Sequence, residues 1–259
     1  MSPHDTPRVV LTIAGTDSGG AAGIAADLIT FADLGAHGAC VVTAITAQDT
    51  TGVHALHAVP SAVVEAQLDA VLDDLPVAAV KTGMLGSVEA VELVAEQIPG
   101  LGVPLVVDPV LRASSGRRLA DAAVVEAYRA LLLPVASVLT PNLAEARALA
   151  GEDGTPDRLA SVLAAHGATV VVTGGTTSGT CTDWVGVPDQ RPVPLEHPAI
   201  ETGNDHGTGC TFSAALAVHL AHGSSVVAAV RRAAAYTTNQ LAQSQTWKLG
   251  RGRGPIAHT

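Results

Sequence analysis

The 259-residue chain is short of positive charge: 14 lysines and arginines stand against 24 acids, a formal net charge of −10. No local basic cluster offsets that balance, which argues against a nucleic-acid surface. Any bound phosphate must therefore be met by a few placed groups. Long apolar runs are also missing. Although 47% of the residues are hydrophobic, no uninterrupted stretch approaches the ~20 residues that span a bilayer, so Ala and Val spread through buried elements account for the excess. Met1 to Arg8 has no charged start followed by an apolar core, which leaves secretion without support. The three cysteines, Cys40, Cys181 and Cys210, are odd in number and lack metal-ligand spacing, so they read as free thiols of a reducing cytoplasm. Internal repeats, coiled-coil heptads and interdomain linkers are absent too. One large α/β domain over residues 1–259 is expected, with residues 1–7 frayed.

What is present is alternation of strand and helix. Val9 to Ala14 is an apolar run suited to burial on both faces of a parallel sheet. Further strands are expected at Gly38–Ile45, Ala78–Lys81, Leu105–Val107, Ala136–Thr140 and Thr169–Val172. The intervening helices are expected at Ile24–Leu34, Ser61–Leu75 with Ser61 as N-cap, Ser87–Gln97 and Ala120–Leu132. Thr46–Thr50 reads as a polar loop, Thr180–Glu201 as an antiparallel hairpin, and two helices, to about Leu220 and from Ser224 to Leu241, close the chain. This order predicts a three-layer sandwich, a mostly parallel sheet with helices on both faces. The loop Gly15–Gly23 after the first strand lacks Gly-x-Gly-x-x-Gly spacing, and no ribose-binding acid ends the second strand, which excludes a dinucleotide fold. The glycine-rich tail, Lys248 to Pro255, is either disordered or closes over a bound nucleotide.

Ligands of such sheets bind beyond the carboxyl ends of the strands. Asp17, Gln48, Lys81, Asp108 and Asn142 are all expected there, together with the turn His206-Gly207-Thr208-Gly209-Cys210. Glycines ahead of a helix free the first-turn amides to point at an anion. An ordinary glycine turn before a core helix is the plain alternative. Cys210 sits at the lip of this turn, where the helix dipole would lower a thiol pKa. An acid and an amide on neighbouring strand ends suit a hydrated Mg²⁺, although Asp108 alone would also serve as an N-cap or salt-bridge partner. Together the placements point to phosphoryl transfer.

The chain resembles the ribokinase-like kinases, and within them the hydroxymethylpyrimidine and phosphomethylpyrimidine kinases of thiamine biosynthesis. The resemblance is carried by Ala14-Gly15-Thr16-Asp17, Gly23-Ile24 with Ala26-Asp27-Leu28, Thr43-Ala44 with Thr46-Ala47-Gln48, Lys81 with Gly83-Met84-Leu85, Asp108-Pro109-Val110, Thr140-Pro141-Asn142 with Glu145-Ala146, and His206 to Thr211. It implies an ATP- and Mg²⁺-dependent cytoplasmic enzyme, dimeric as members of the fold often are. Gly207, Thr208 and Gly209 would hold the transferred phosphoryl group, and Cys210 would face the hydroxymethyl group as a thiolate base or as a neutral thiol that orients the alcohol. Asp27, Gln48, Met84 and Gly15 would bind the aminopyrimidine. Asp108 and Glu145 would organise Mg²⁺ through water, and Asn142, Thr173 and Lys81 would lie on the nucleotide side.

Departures from the family pattern carry expectations of their own. Thr173-Gly174-Gly175 stands where Lys-Gly-Gly is common, which removes a cation from the ATP phosphates. Asp205 replaces a common threonine and would weaken phosphate binding. Ala25 and Asp49 replace a glutamine and an asparagine, and Ser18-Gly19-Gly20-Ala21 varies a loop. Two other functions fit the residues: the same chemistry on pyridoxal, pyridoxine or pyridoxamine, and a catalytically weak pyrimidine sensor.

Overall fold

The computed structural model describes residues 6–177 and 179–258. Of the segment expected to fray, residues 1–5 lie outside the described residues. The first apolar run forms β1 (Val9–Ala14), buried at every position, and leads through a glycine loop to α1 (Gly23–Asp33) and β2 (His37–Val42). A ribbon of β3 (Ala44–Asp49) and β4 (Gly52–Ala58) follows. Then come α2 (Ser61–Asp74), β5 (Val77–Thr82), α3 (Val88–Gln97), β6 (Leu105–Val107), α4 (Ala122–Ala127), β7 (Val138–Leu139), α5 (Leu143–Ala150) and α6 (Pro156–Ala164). The chain finishes with β8 (Thr169–Thr177), β9 (Thr180–Gly186), β10 (Val193–Pro198), α7 (Thr208–Ala221) and α8 (Val226–Ser244).

Eight strands make one sheet in the order β10-β9-β8-β7-β6-β5-β1-β2. β2, β1, β5, β6, β7 and β8 are parallel, and the hairpin β9–β10 adds antiparallel strands at one edge. Strand periodicity divides the core between the two faces. Leu11, Ile13, Val80, Val107 and Leu139 meet the layer that holds α2 to α6, while Val10, Ala79, Val106 and Val138 meet Phe31 of α1 and the alanine-rich α7 and α8. α7 is apolar all round because it packs against α1, α8 and the sheet together. Its alanines permit that close approach, and Ala214 to Val218 are wholly buried.

Several expected boundaries move. The run Gly38–Ile45 is two strands, because after Thr43 the chain leaves the sheet: the Thr16 amide takes the Ala44 carbonyl, and β3 pairs with β4. The expected polar loop Thr46–Thr50 is thus mostly strand, closed by a turn in which Asp49 accepts from the amides of Thr51 and Gly52. α2 is preceded by Pro60, and Ser61 makes no capping bond. The expected helix to Leu132 becomes a wide π turn over Tyr128–Leu132, where the buried Tyr128 hydroxyl donates to the Gly83 carbonyl. α6 was not foreseen. The tail is ordered against the ribbon and the α7 turn: the Arg253 amide donates to Thr50, and His206 exchanges backbone bonds with Gly254 and Ile256.

Candidate active site

A cleft of about 580 Å³ opens at the carboxyl ends of the parallel strands, within the range of small-molecule sites. It runs from Gly15, Gln48 and Met84 at one end to Asn142 and Thr173 at the other, with Asp108, Glu145 and the Gly207–Cys210 turn between them. Of the residues expected from the sequence to act in catalysis, binding or metal coordination, Asp27 and Lys81 do not line it.

The turn is shaped by Gly207, whose φ of 95° is left-handed and whose absent Cβ would collide with the Ala21 carbonyl. The first rung of α7 is Thr211 N to Gly207 O, so the amides of Gly209 and Cys210 stay at the free end of the helix. No side chain caps that end. The Thr208 hydroxyl is turned back onto the Asp205 carbonyl, 2.7 Å away. Asp205 is itself gripped by one edge of the Arg253 guanidinium, whose Nε and Nη2 each donate to one of its two oxygens. The acid expected to repel phosphate is therefore neutralised by the tail, and it also fastens the tail beside the helix end.

Beneath the cleft lies a buried charge stack. Lys81 Nζ sits 2.9 and 2.8 Å from the two oxygens of Asp27 and 3.9 Å from Asp108. Thr12 donates to Asp27 at 2.6 Å. Asp27 and Lys81 are both sealed at 0% exposure, so neither side chain opens to the cleft where substrate and nucleotide are expected. Both oxygens of the Asp27 carboxylate accept from Lys81, and Oδ2 also accepts from Thr12. One ammonium beneath two carboxylates leaves a surplus of negative charge at Asp108, where the cleft begins. Burial drives the Asp108 carboxyl upward even though Lys81 and the Ser213 hydroxyl oppose it. Glu145 is pushed to about 8 by burial and by Asp108. Its two oxygens accept from the amides of Leu111 and Asn142, and the Glu145 amide donates in return to Asn142 Oδ1, a capping box at the start of α5. That box leaves the Asn142 NH₂ without a role in the helix cap.

Cys210 reverses an expectation. Burial pushes its thiol up to about 12, and Asp108 and Asp27 add to that, outweighing Lys81 and the Gly23 amide. A helix N-terminus favours a thiolate only where surrounding acids do not outvote it. At neutral pH the side chain is a thiol.

The far wall holds a hub the sequence reading did not assemble. His206 Nε2 lies 3.1 Å from Asp17 Oδ2 and 3.0 Å from the Gln48 side-chain amide, and Nδ1 lies 3.2 Å from Ser114 Oγ. Asp17 also accepts from the amides of Gly19, Ala21 and Ala22. Burial would raise its carboxyl, but the His206 ring and these amides together hold it below the ordinary value. An Nε2–H donated to Asp17 requires the Gln48 amide to turn its oxygen to the ring, which presents its NH₂ elsewhere. Gly15 is needed beside Met84, whose methyl group occupies the space of a Cβ. At the other end Thr173 is bridged to Asn142 through the backbone and supplies no charge. The cations on the cleft wall among the described residues are the exposed Arg112 and the paired Arg253.

Sheet order and a strand-end cleft together define a ribokinase-like fold. The chain is 34% identical to pyridoxal kinase from Bacillus subtilis, solved as an ADP complex, over 98% of both chains with a TM-score of 0.89. It is also 34% identical to phosphomethylpyrimidine kinase from Clostridium difficile, over 90% of this chain and 98% of that one, with a TM-score of 0.77. In sequence it is 45% identical to the hydroxymethylpyrimidine/phosphomethylpyrimidine kinase of Synechococcus elongatus, over 96% of this chain and 97% of that protein. The family model described as phosphomethylpyrimidine kinase matches residues 17–257. The chain belongs to the phosphomethylpyrimidine kinase family.

Proposed function

We propose that the chain acts as one catalytic domain that transfers a phosphoryl group from ATP to the hydroxymethyl oxygen of 4-amino-5-hydroxymethyl-2-methylpyrimidine, and then to the phosphate of that product, in thiamine biosynthesis. The observation that carries this is the placement of an uncapped helix end, with Gly209 and Cys210 amides free, between a polar ring-reading wall and a pair of under-neutralised carboxyls in one cleft. The amides would receive the transferred group as charge builds on it. Gln48 would pair with a ring nitrogen and the exocyclic amine, fixed by His206 and by Ser18, which bonds both its amide and its carbonyl. Met84 and Gly15 would form the floor under the ring. Cys210, a thiol at neutral pH, would hold the alcohol in line and would not draw its proton in the ligand-free state. The Asn142 NH₂, left free by the cap, and the Thr173 hydroxyl would face the nucleotide phosphates.

Asp108 and Glu145 fit a hydrated Mg²⁺: both are raised carboxyls beside one another, a condition an adjacent cation relieves, and Mg²⁺ needs few protein ligands besides water and phosphate. Bound there, Mg²⁺ would supply the charge neutralisation that phosphoryl transfer requires. A cytoplasmic homodimer is part of the proposal; among the described residues no helix is long and apolar enough to cross a membrane. The backbone likeness to pyridoxal kinases supports a second acceptor, since pyridoxal also presents a ring-borne CH₂OH.

Thermal stabilisation tests the acceptor directly, because a ligand of the native state raises the midpoint with ln(1 + [L]/Kd). The hydroxymethylpyrimidine should raise the midpoint alone, and further with Mg²⁺ and a non-hydrolysable ATP analogue. Stabilisation by pyridoxal and none by the pyrimidine would move the substrate.

A further inference from the structure

The hairpin at the sheet edge carries a second constellation, away from the cleft. Cys181 and Asp183 stand two apart on β9 and share a face, and the register puts His197 of β10 directly opposite Cys181. The Cys181 sulfur, an Asp183 oxygen and a ring nitrogen of His197 lie within 4.8 Å of one another. His197 Nε2 is 3.1 Å from Asp183 Oδ2, close to the roughly 3.3 Å edge of a tetrahedron of ligands at zinc-like bond lengths.

Each group is also held from behind. The Thr238 hydroxyl on α8 lies 3.1 Å from His197 Nδ1, which aims Nε2 at the other two groups. The Gly174 amide holds Asp183 Oδ1 at 3.0 Å and leaves Oδ2 for the cluster. This is the outer support that metal-binding imidazoles and carboxylates require. Asp183 is buried, whereas Cys181 and His197 are half-buried, so one side is open to a water or another small ligand.

We infer that Cys181, Asp183 and His197 form a transition-metal site with the preference of Zn²⁺. Thiolate, imidazole and carboxylate together suit a borderline-soft ion, and the thiolate discriminates against Mg²⁺ and Ca²⁺. Such an ion takes its ligands in their deprotonated forms, and the protons they carry leave to solvent on binding. The bound ion would clamp Asp183, and through its Gly174 amide the segment next to Thr173 at the nucleotide end of the cleft. Cysteine spacing alone hides this site, because two of its three ligands are not cysteines and the hairpin register brings the third across.

Co²⁺ is the probe, titrated into the chelator-treated full chain and read by optical absorption and by native mass. The site predicts one Co²⁺ per chain with a thiolate-to-cobalt charge-transfer band, displaced by Zn²⁺. The band should survive the double substitution Cys40→Ser and Cys210→Ser, disappear in Cys181→Ser, and require at least tenfold more Co²⁺ in Thr238→Val, whose effect is on orientation. Zn²⁺ should raise the thermal midpoint of the wild type and not that of Cys181→Ser, a near-isosteric change. Absence of the band, or a band lost with Cys210 and kept without Cys181, would overturn the assignment. So would equal Zn²⁺ stabilisation of the wild type and Cys181→Ser.

Discussion

The two ends of the cleft are built differently. At the acceptor end, His206 ties together the loop after β1, strand β3 and the segment after β6 through side-chain hydrogen bonds, and the tail adds backbone bonds. At the end proposed for the nucleotide, Thr173 and Asn142 are joined through the backbone alone, Gly174 is exposed, and among the described residues no charged side chain replaces the lysine common in the family. A cross-braced wall holds a shape before ligand arrives, so it discriminates between rings. A backbone-lined shelf accepts a phosphate chain with little demand on its identity. Specificity should therefore reside at the acceptor end, and nucleotide affinity should be the adjustable quantity.

The largest effect should come from removing the floor beneath both ends. Lys81→Met strands two buried carboxylates and should cost about 3–5 kcal/mol of stability in urea unfolding. A loss of about 1 kcal/mol or less, the scale of a surface pair, would mean that the stack is not the closed unit described. Next, Cys210→Ala should lower kcat by about 100-fold with little change in either KM. Unchanged turnover would remove the thiol from the chemistry. Gln48→Ala should then separate the two ends, raising KM for the pyrimidine about tenfold, or about 1.4 kcal/mol, while KM for ATP holds. A parallel rise in both would show that the ends are not independent. Thr173→Lys is expected to be the mildest, lowering KM for ATP about threefold at a half-buried position on the rim of the cleft. No response would mean that another group, with Arg112 the first candidate, already serves the phosphates.

A pH dependence follows from Glu145. Its folded value, about 8, lies above the unfolded carboxylate value, so the native state binds the proton more tightly. The contribution is fully present below the unfolded value and is lost as pH rises through about 8. His197, raised to about 10, acts in the same direction but only from the ordinary histidine range upward. As pH rises between about 5 and 8, Glu145→Gln should therefore lose less, or gain more, thermal stability than the wild type. An unaltered slope in the variant would contradict the raised carboxyl.

β1 and β6 were legible in the sequence because burial on both faces leaves an unbroken apolar run, as in Leu105-Val106-Val107. The ribbon was not, since β4 is largely exposed, β3 is buried only at Ala44 and Thr46, and the two carry Thr46, Gln48, His54 and His57 where a strand buried on both faces would be apolar. The glycine turn and the strand-end acids were legible from their order along the chain. Their partners were not. Asp27 and Lys81 stand 54 positions apart, and nothing local distinguishes a charge aimed into a cleft from one aimed at its opposite beneath it. Arg253 and Asp205 are 48 apart, so an acid that looked unfavourable for phosphate could not be seen as already paired. The Cys210 case is similar: helix position is local information, but the burial and carboxylates that set its proton affinity come from β1, α1 and β6.

The most direct test is to incubate the purified protein with Mg-ATP and, separately, the hydroxymethylpyrimidine, its monophosphate and pyridoxal, and to identify the products by mass. The account predicts the pyrimidine monophosphate followed by the diphosphate, with pyridoxal turned over more slowly. Pyridoxal phosphate as the sole product would contradict the assignment of the acceptor end, and no product from any of the three would contradict the kinase itself.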